Sequence, residues 1–160
     1  MILDALAVAL EQERKDEMPR NYWLVKSEPS SWSWEMQVRA GRKGTRWDGV
    51  RNHLAKQHLQ AMRAGDRAFF YHSGEGKSIT GIVEVIREHY PDPGAPGEPW
   101  VAVDVRAVEP LPEPVPLSAV KAEPKLAKMS LVKSARLSVQ PVTEAEWEII
   151  CRMGAGHGSG

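Results

Sequence analysis

The chain has 160 residues, of which 42% are hydrophobic and 26% are charged, a composition typical of one globular domain with a core of its own. Its 21 basic and 21 acidic residues cancel. This balance argues against a nonspecific nucleic-acid coat, which needs excess positive charge. The single cysteine, Cys151, excludes an intrachain disulfide and a cysteine-based zinc site.

Residues 1–20 predict an N-terminal extension, either a short helix, from the helical spacing of Leu3, Leu6 and Leu10, or a disordered segment. The segment lacks the basic leader and cleavage site of a secretory signal, and its apolar stretch is too short to span a bilayer. We therefore expect a cytoplasmic protein. The main domain is predicted over 21–154, followed by a disordered tail over 155–160.

In the first half of the domain, apolar runs and helical spacing alternate with turn-forming residues. The predicted elements are a strand over 22–26, a helix over 30–40 capped by Ser30 or Ser31, a loop over 42–52, and a helix over 53–64 capped by Asn52. The apolar face of the second helix is predicted to hold Leu54, Ala55, His58, Leu59 and Met62.

The second half reads as a series of short strands. The predicted elements are a hairpin of strands over 67–73 and 78–89, a loop over 91–99, a strand over 100–109, a proline-rich extended segment over 111–116, helical turns over 117–130, a strand over 136–142, and a helix opened by a Thr143–Glu146 capping box. Such an order, without a regular βαβ rhythm, predicts an α+β fold. We expect a small, partly closed barrel of about five to six strands, surrounded by short helices.

No metal, phosphate-loop or nucleophile motif is apparent in the sequence. His53 and His58 are five residues apart and so do not share a helix face as a metal pair would. Gly76-Lys77-Ser78 is similar to the end of a phosphate loop, but the position of the upstream glycine, five residues before Gly76, holds Tyr71. We therefore expect neither a metal nor a cofactor.

Polar and aromatic residues follow the predicted strands. Trp47 lies among polar neighbours, where an indole either stacks on a flat ligand or folds down over the barrel end. Asn52 either caps a helix or reads a base edge. Tyr71 and His72 end a strand, and alternation alone does not decide whether Phe69 and Tyr71, or Phe70 and His72, face inward. The remaining candidates are Lys26, Ser27 and Glu28 at the end of the first strand, and Asp48 beside Trp47.

The one basic cluster interleaved with an aromatic residue consists of Arg42, Lys43, Arg46 and Arg51 around Trp47. This pattern is typical of a nucleic-acid backbone site. The alternative is a loop whose charges are simply solvated.

Four strings in combination resemble the EVE domain, a family of the PUA-like superfamily that includes bacterial single-domain members and the thymocyte nuclear protein family. They are YWLVKSEP at 22–29, WDGVRN at 47–52, FFYHS at 69–73 and RLSVQP at 136–141. The resemblance implies a mixed β-barrel surrounded by helices and related to the YTH readers of methylated adenine. It also implies a pocket that accepts a modified base, expected to be a modified cytosine, flipped out of DNA or RNA.

The resemblance also implies which residues form that base-binding pocket. Trp47 matches the aromatic wall, and the positions carried over beside it are Lys26, Ser27, Asp48, Asn52, Tyr71, Ser73, Ser130 and Leu131. Glu28 joins the predicted pocket as an acceptor at the end of the first strand.

Two other functions stay open at this stage. The related ASCH domains include hydrolases of modified nucleosides, and Lys26 and Glu28 could act as base and acid if burial shifted their pKa values. A protein-interaction module, with the segment over 111–116 as a docking strip, is the third hypothesis.

Overall fold

The computed structural model describes residues 20–74 and 76–156. The predicted N-terminal extension, apart from Arg20, lies outside the described residues, and so do the tail beyond Gly156 and Glu75 at the hairpin tip. Within the described part, none of the helices is both long enough and apolar enough to cross a membrane.

The centre of the molecule is a six-stranded mixed sheet in the order β2-β5-β4-β3-β1-β6. β1 and β3 run parallel, whereas the other neighbouring strands are antiparallel. The strands are β1 (Tyr22–Ser27), β2 (Thr45–Trp47), β3 (Arg67–His72), β4 (Ser78–Pro91), β5 (Val101–Pro116) and β6 (Val139–Val142).

Short helices flank the sheet. They are α1 (Trp34–Arg39), α2 (His53–Ala61), α3 (Leu117–Ala122), α4 (Ser130–Lys133) and α5 (Glu144–Met153), with 3₁₀ turns at Gly41–Lys43 and Pro124–Leu126. The prediction of an α+β fold with up to six strands and short helices is therefore confirmed. The sheet is not closed, because β2 and β6 stand at its two edges and no pairing between them is seen among the described residues.

Both faces of the sheet are buried. Phe70 belongs to one core, together with Val83 and Val85, whereas Phe69 and Tyr71 belong to a second core on the opposite side. Alternation along β3 is ambiguous because helices cover both faces of the sheet, so an apolar residue is buried whichever way it points.

The predicted helix caps agree with the structure better than the predicted helix bounds do. The Asn52 side chain accepts a hydrogen bond from the Ala55 N–H at 2.9 Å, so its prediction as a cap is confirmed. The Thr143–Glu146 capping box is also present. The helix expected over 30–40 instead begins at Trp34, because Ser33 rather than Ser30 or Ser31 supplies the cap.

Three further predictions about these elements were wrong. α2 ends at Ala61 because Met62 adopts an extended conformation, and Leu54 is 50% exposed rather than part of the buried face. The segment over 42–52, expected to be a loop, contains the short strand β2, whose Trp47 pairs with Val103 of β5.

The proline-rich segment continues β5 and pairs with the start of β4, with Val115 opposite Ile79. Its prolines fall on alternate residues, so their missing N–H groups face one side of the strand. Leu111 and Val115 are buried in the second core. The whole of the suggested docking strip is therefore part of the sheet.

Candidate functional site

A cleft of about 880 Å³ opens where the end of β1 meets β2 and the loop that leads into α2. Fourteen residues line it: Lys26, Ser27, Glu28, Ser31, Trp32, Gly44, Thr45, Arg46, Trp47, Asp48, Gly49, Val50, Arg51 and Ser138. The volume falls in the range of small-ligand sites.

The end of β1 supplies a cation and a structural hydroxyl. The Lys26 ammonium donates to the Ala135 carbonyl at 2.7 Å, a neutral partner that leaves its charge uncompensated by this contact. Burial lowers the pKa of Lys26, and repulsion by Lys77 lowers it further. The Ser27 hydroxyl donates to the Trp32 carbonyl, which ties the loop after β1 to the strand end.

Two indoles line the cleft. Trp47 is only 8% exposed and meets Phe70 edge-on, with 5.6 Å between ring centroids, so it forms part of the core as well as the cleft floor. Trp32 is half-buried, and its indole N–H donates to the Gln37 side-chain oxygen at 2.8 Å. Gln37 is itself buried and donates to the Val105 carbonyl. The Trp32 ring is therefore held in place while more of it faces solvent.

A buried carboxylate fixes the rim of the cleft. Asp92, in the loop between β4 and β5, accepts hydrogen bonds from the Gly49 N–H and the Arg51 guanidinium, both at 2.9 Å, and from the Gly94 N–H at 2.7 Å. Burial alone would raise the pKa of Asp92, but the hydrogen bonds from Arg51, Gly49 and Gly94 outweigh it and hold that pKa below its usual range.

Charges of both signs border the opening. Arg46 and Asp48 form an exposed ion pair with 3.6 Å between nitrogen and oxygen, a type worth little in stability. The Glu28 carboxylate accepts from the Ser73 hydroxyl at 3.4 Å. The cleft can therefore offer acceptors to an amine and cations to a phosphate. In residues 20–74 and 76–156, no three His, Cys, Asp or Glu side chains group as metal ligands would.

The structure brings seven of the sequence-predicted residues together in the lining: Lys26, Ser27, Glu28, Arg46, Trp47, Asp48 and Arg51. The other seven lie outside it. Asn52 caps α2, Tyr71 is buried in the second core, Ser73 holds the Ser27 carbonyl, Ser130 and Leu131 belong to α4, and Arg42 and Lys43 lie in the 3₁₀ turn before β2.

Two important residues were not singled out from the sequence. Trp32 has the same signal as Trp47, an indole between polar neighbours, but the serines around it also fit the role of helix caps. Asp92 lies in a segment rich in proline and glycine that reads as an ordinary loop, and nothing local indicates that it reaches Gly49, 43 residues away.

Comparison with known proteins identifies relatives over most of the chain. Residues 21–153 match the model of the EVE domain. Thymocyte nuclear protein 1 of Mus musculus is 34% identical over 162 residues, covering 81% of this chain and 72% of the relative. A crystal structure of an Agrobacterium tumefaciens protein is 56% identical with a TM-score of 0.83, covering 86% of this chain and 95% of that one.

Two further structures bear on the fold and on ligands. The human THYN1 protein, solved in complex with DNA containing 5-methylcytosine, is 31% identical with a TM-score of 0.79, covering 86% of this chain and 99% of that one. A YTH domain of Zygosaccharomyces rouxii, at 17% identity and a TM-score of 0.54 over 86% of this chain and 88% of that one, supports the fold alone. The family model spans the whole sheet and the cleft, and on that evidence this chain belongs to the EVE domain family.

Proposed function

We propose that this chain binds DNA carrying a modified cytosine, with the base turned out of its stack into the cleft. The observation that carries the proposal is the set of groups that line one cavity. They are two indoles, two carboxylates and two cations that do not contact Asp92: Trp32, Trp47, Glu28, Asp48, Lys26 and Arg46. The complex of the human THYN1 protein with 5-methylcytosine DNA supports the same class of ligand.

The chemistry of cytosine matches these groups. Its exocyclic amine is a donor that Asp and Glu accept from well, which suits Asp48 and Glu28 at the opening. A base turned out of the stack loses a few kcal/mol of stacking and pairing, and an aromatic wall returns roughly 1–3 kcal/mol. Trp32 is the more exposed of the two indoles in the lining, so its ring is the more accessible for stacking.

The test is replacement of each indole by leucine, which removes the aromatic ring but fills more of its space than alanine does. Trp47→Ala would leave a cavity that costs about 3–5 kcal/mol of folding stability, so Trp32→Leu and Trp47→Leu are the better variants. Loss of stacking should weaken binding of an oligonucleotide with one 5-methylcytosine by roughly 5- to 150-fold, measured by fluorescence anisotropy.

Trp47→Phe is the matched control, because it keeps an aromatic ring at the same place and should retain most of the affinity. Thermal unfolding of each variant checks that the fold is intact. If both leucine variants stay folded and bind within about twofold of the original chain, the cleft is not the base-binding site.

A hydrolase acting on a modified nucleoside is the second candidate. Lys26 and Glu28 line the same cleft, and burial, together with repulsion by Lys77, lowers the pKa of Lys26 below its ordinary value. Incubation of the chain with 5-methylcytidine and other modified nucleosides, followed by mass spectrometry, separates the two functions. Release of a product that Lys26→Met abolishes would favour the enzyme, and an unchanged nucleoside would favour the reader.

A further inference from the structure

A second groove, of about 490 Å³, adjoins the cleft. Three residues line both cavities: Gly44, which directly precedes β2, and Thr45 and Arg46 of β2. Gly44 carries no side chain, so no side chain of its own separates the two cavities at that point. We call the second cavity the β2 groove. Its remaining lining comes from Lys43, from β4 and β5, and from the loop between those two strands.

The β2 groove is predominantly cationic. Lys43, Arg46 and Arg87 line it with their charged side chains exposed, and Asp104 is the one acid among the described residues of its lining. Asp104 is also engaged, because it accepts a hydrogen bond from the Tyr90 hydroxyl. A neutral chain with 21 residues of each sign therefore places three cations beside the cleft, of which Arg46 also forms an exposed ion pair with Asp48.

The Arg87 guanidinium stacks on an aromatic ring. Its guanidinium carbon lies 3.9 Å from the centroid of the Tyr90 ring, and Tyr90 is anchored in turn through Asp104. Burial is the largest cause, and the hydrogen bond to Asp104 the next, of a rise in the pKa of Tyr90 to about 12. The phenol is therefore neutral at physiological pH. A guanidinium stacked on an aromatic face keeps its N–H edge available, and that planar edge matches phosphate oxygens well.

We infer that the β2 groove binds the phosphates of the nucleotides that adjoin the flipped base on one side. This inference rests on the function proposed for the cleft. A strand whose base enters the cleft must continue past its rim, and beside β2 it meets Arg46, which faces both cavities, and then Lys43 and Arg87. Sequence patterns do not indicate Arg87 as part of this surface, because it lies on β4, 41 positions after Arg46.

The experiment compares single-stranded oligonucleotides that carry one 5-methylcytosine and are extended by three nucleotides on the 5′ side only or on the 3′ side only. Binding is measured by fluorescence anisotropy over a series of salt concentrations. Extension on one side should strengthen binding by the original chain more than extension on the other. Arg87→Ala and Lys43→Ala should remove that difference.

Removal of each phosphate-binding cation should also make the slope of log Kd against log salt shallower by about 0.7 for a single strand. Arg87→Lys keeps the charge but not the planar stack, so it should retain the salt slope while weakening the affinity in part. The affinity for 5-methyldeoxycytidine, which has no phosphate, should stay unchanged in all these variants.

Arg152→Ala is the matched control, since Arg152 is an exposed cation on α5, which packs over the other core of the sheet. It should leave both the asymmetry and the salt slope as they are. The inference is overturned if the original chain prefers the methylated oligonucleotide but gains equally from either extension, or if Arg87→Ala changes neither quantity. Absence of any preference for the methylated base would instead refute the function proposed for the cleft.

Discussion

Asp92 shows how one side chain can determine the shape of a site that it does not line. It is 1% exposed and takes hydrogen bonds from Gly49 and Arg51, which lie on the cleft rim. The side chain of Arg51 is 40% exposed, so its guanidinium is accessible while its charge is paired. Arg51 is therefore better suited to directional hydrogen bonding than to attracting phosphate from a distance.

Replacement of this carboxylate should affect both stability and binding. Asp92→Asn removes the charge and leaves an amide that donates where the carboxylate accepts, so we expect a decrease of about 1–3 kcal/mol in the free energy of unfolding. Urea denaturation measures this decrease. Because the rim loosens, affinity for the methylated oligonucleotide should fall in the same variant.

Asp48→Asn is the control, because Asp48 is 49% exposed in a pair with Arg46 and such pairs contribute at most about 1 kcal/mol. Equal destabilisation by the two substitutions would show that Asp92 has no special role at the rim.

The cleft could be predicted from the sequence where its residues cluster along the chain. Trp47 and Asp48 are recognisable as an indole placed among polar groups, and Lys26 is recognisable from its position at a strand end. Tyr71 and Leu131 are also in the family strings or near them, yet they are buried in the second core. Sequence strings mark both binding residues and packing residues, and only the fold separates the two.

At the scale of elements, the start of β2 depends on a glycine. Gly44 has a φ of +68°, and a Cβ built there would lie 2.2 Å from the Val105 carbonyl oxygen. Any side chain at this position must therefore push β2 away from β5. We expect Gly44→Ala to destabilise the fold by several kcal/mol, since strain and steric overlap act together, and to lower the affinity of the cleft.

Gly41, three residues earlier, is a close control. Its φ is +62°, but nothing lies within 4 Å of a Cβ built there. Gly41→Ala should cost only the backbone strain of about 1 kcal/mol. Thermal unfolding of the two variants should therefore give clearly different midpoints, and similar midpoints would show that β2 yields easily.

Local chemistry predicted some elements and not others. The caps at Asn52 and Thr143 could be predicted because a cap needs only a side chain and a backbone N–H three residues later. β2 could not, because three residues without an apolar pattern become a strand only when β5 is already present to pair with them. Likewise, the prolines of β5 suggested an interruption, although their alternate spacing is compatible with an edge.

At the scale of the whole molecule, stability should fall as the pH is lowered below neutrality. His72 accepts a hydrogen bond from the Trp34 N–H at 3.0 Å and thereby fixes the start of α1 to the sheet. Burial lowers the pKa of His72 from its usual 6.5, and that of His58 in the same way. The unfolded chain thus binds protons at a higher pH than the folded chain.

The stabilising contribution of a neutral His72 is therefore complete above pH 6.5 and is lost as the pH falls through the lower folded pKa. The pKa of Asp92 is also lowered by folding, so its contribution to stability is present above pH 3.8 and is lost at more acidic pH. Thermal midpoints measured from pH 8 to pH 5 should decline, and His72→Gln, which keeps an acceptor without a titrating proton, should flatten part of that decline. An unchanged profile in this variant would contradict the assignment.

The ends of the sheet limit what this fold can recognise. Of the strands that the structure describes, β2 has three residues and β6 has four, and Pro141 in β6 has no backbone N–H to offer. Neither of these two strands provides the long row of main-chain donors and acceptors that β-augmentation by an extended peptide requires, and where β5 continues beyond its pairing with β2, four alternate prolines remove N–H donors. The short edge strands also leave little main chain free for edge-to-edge pairing with another copy of the protein.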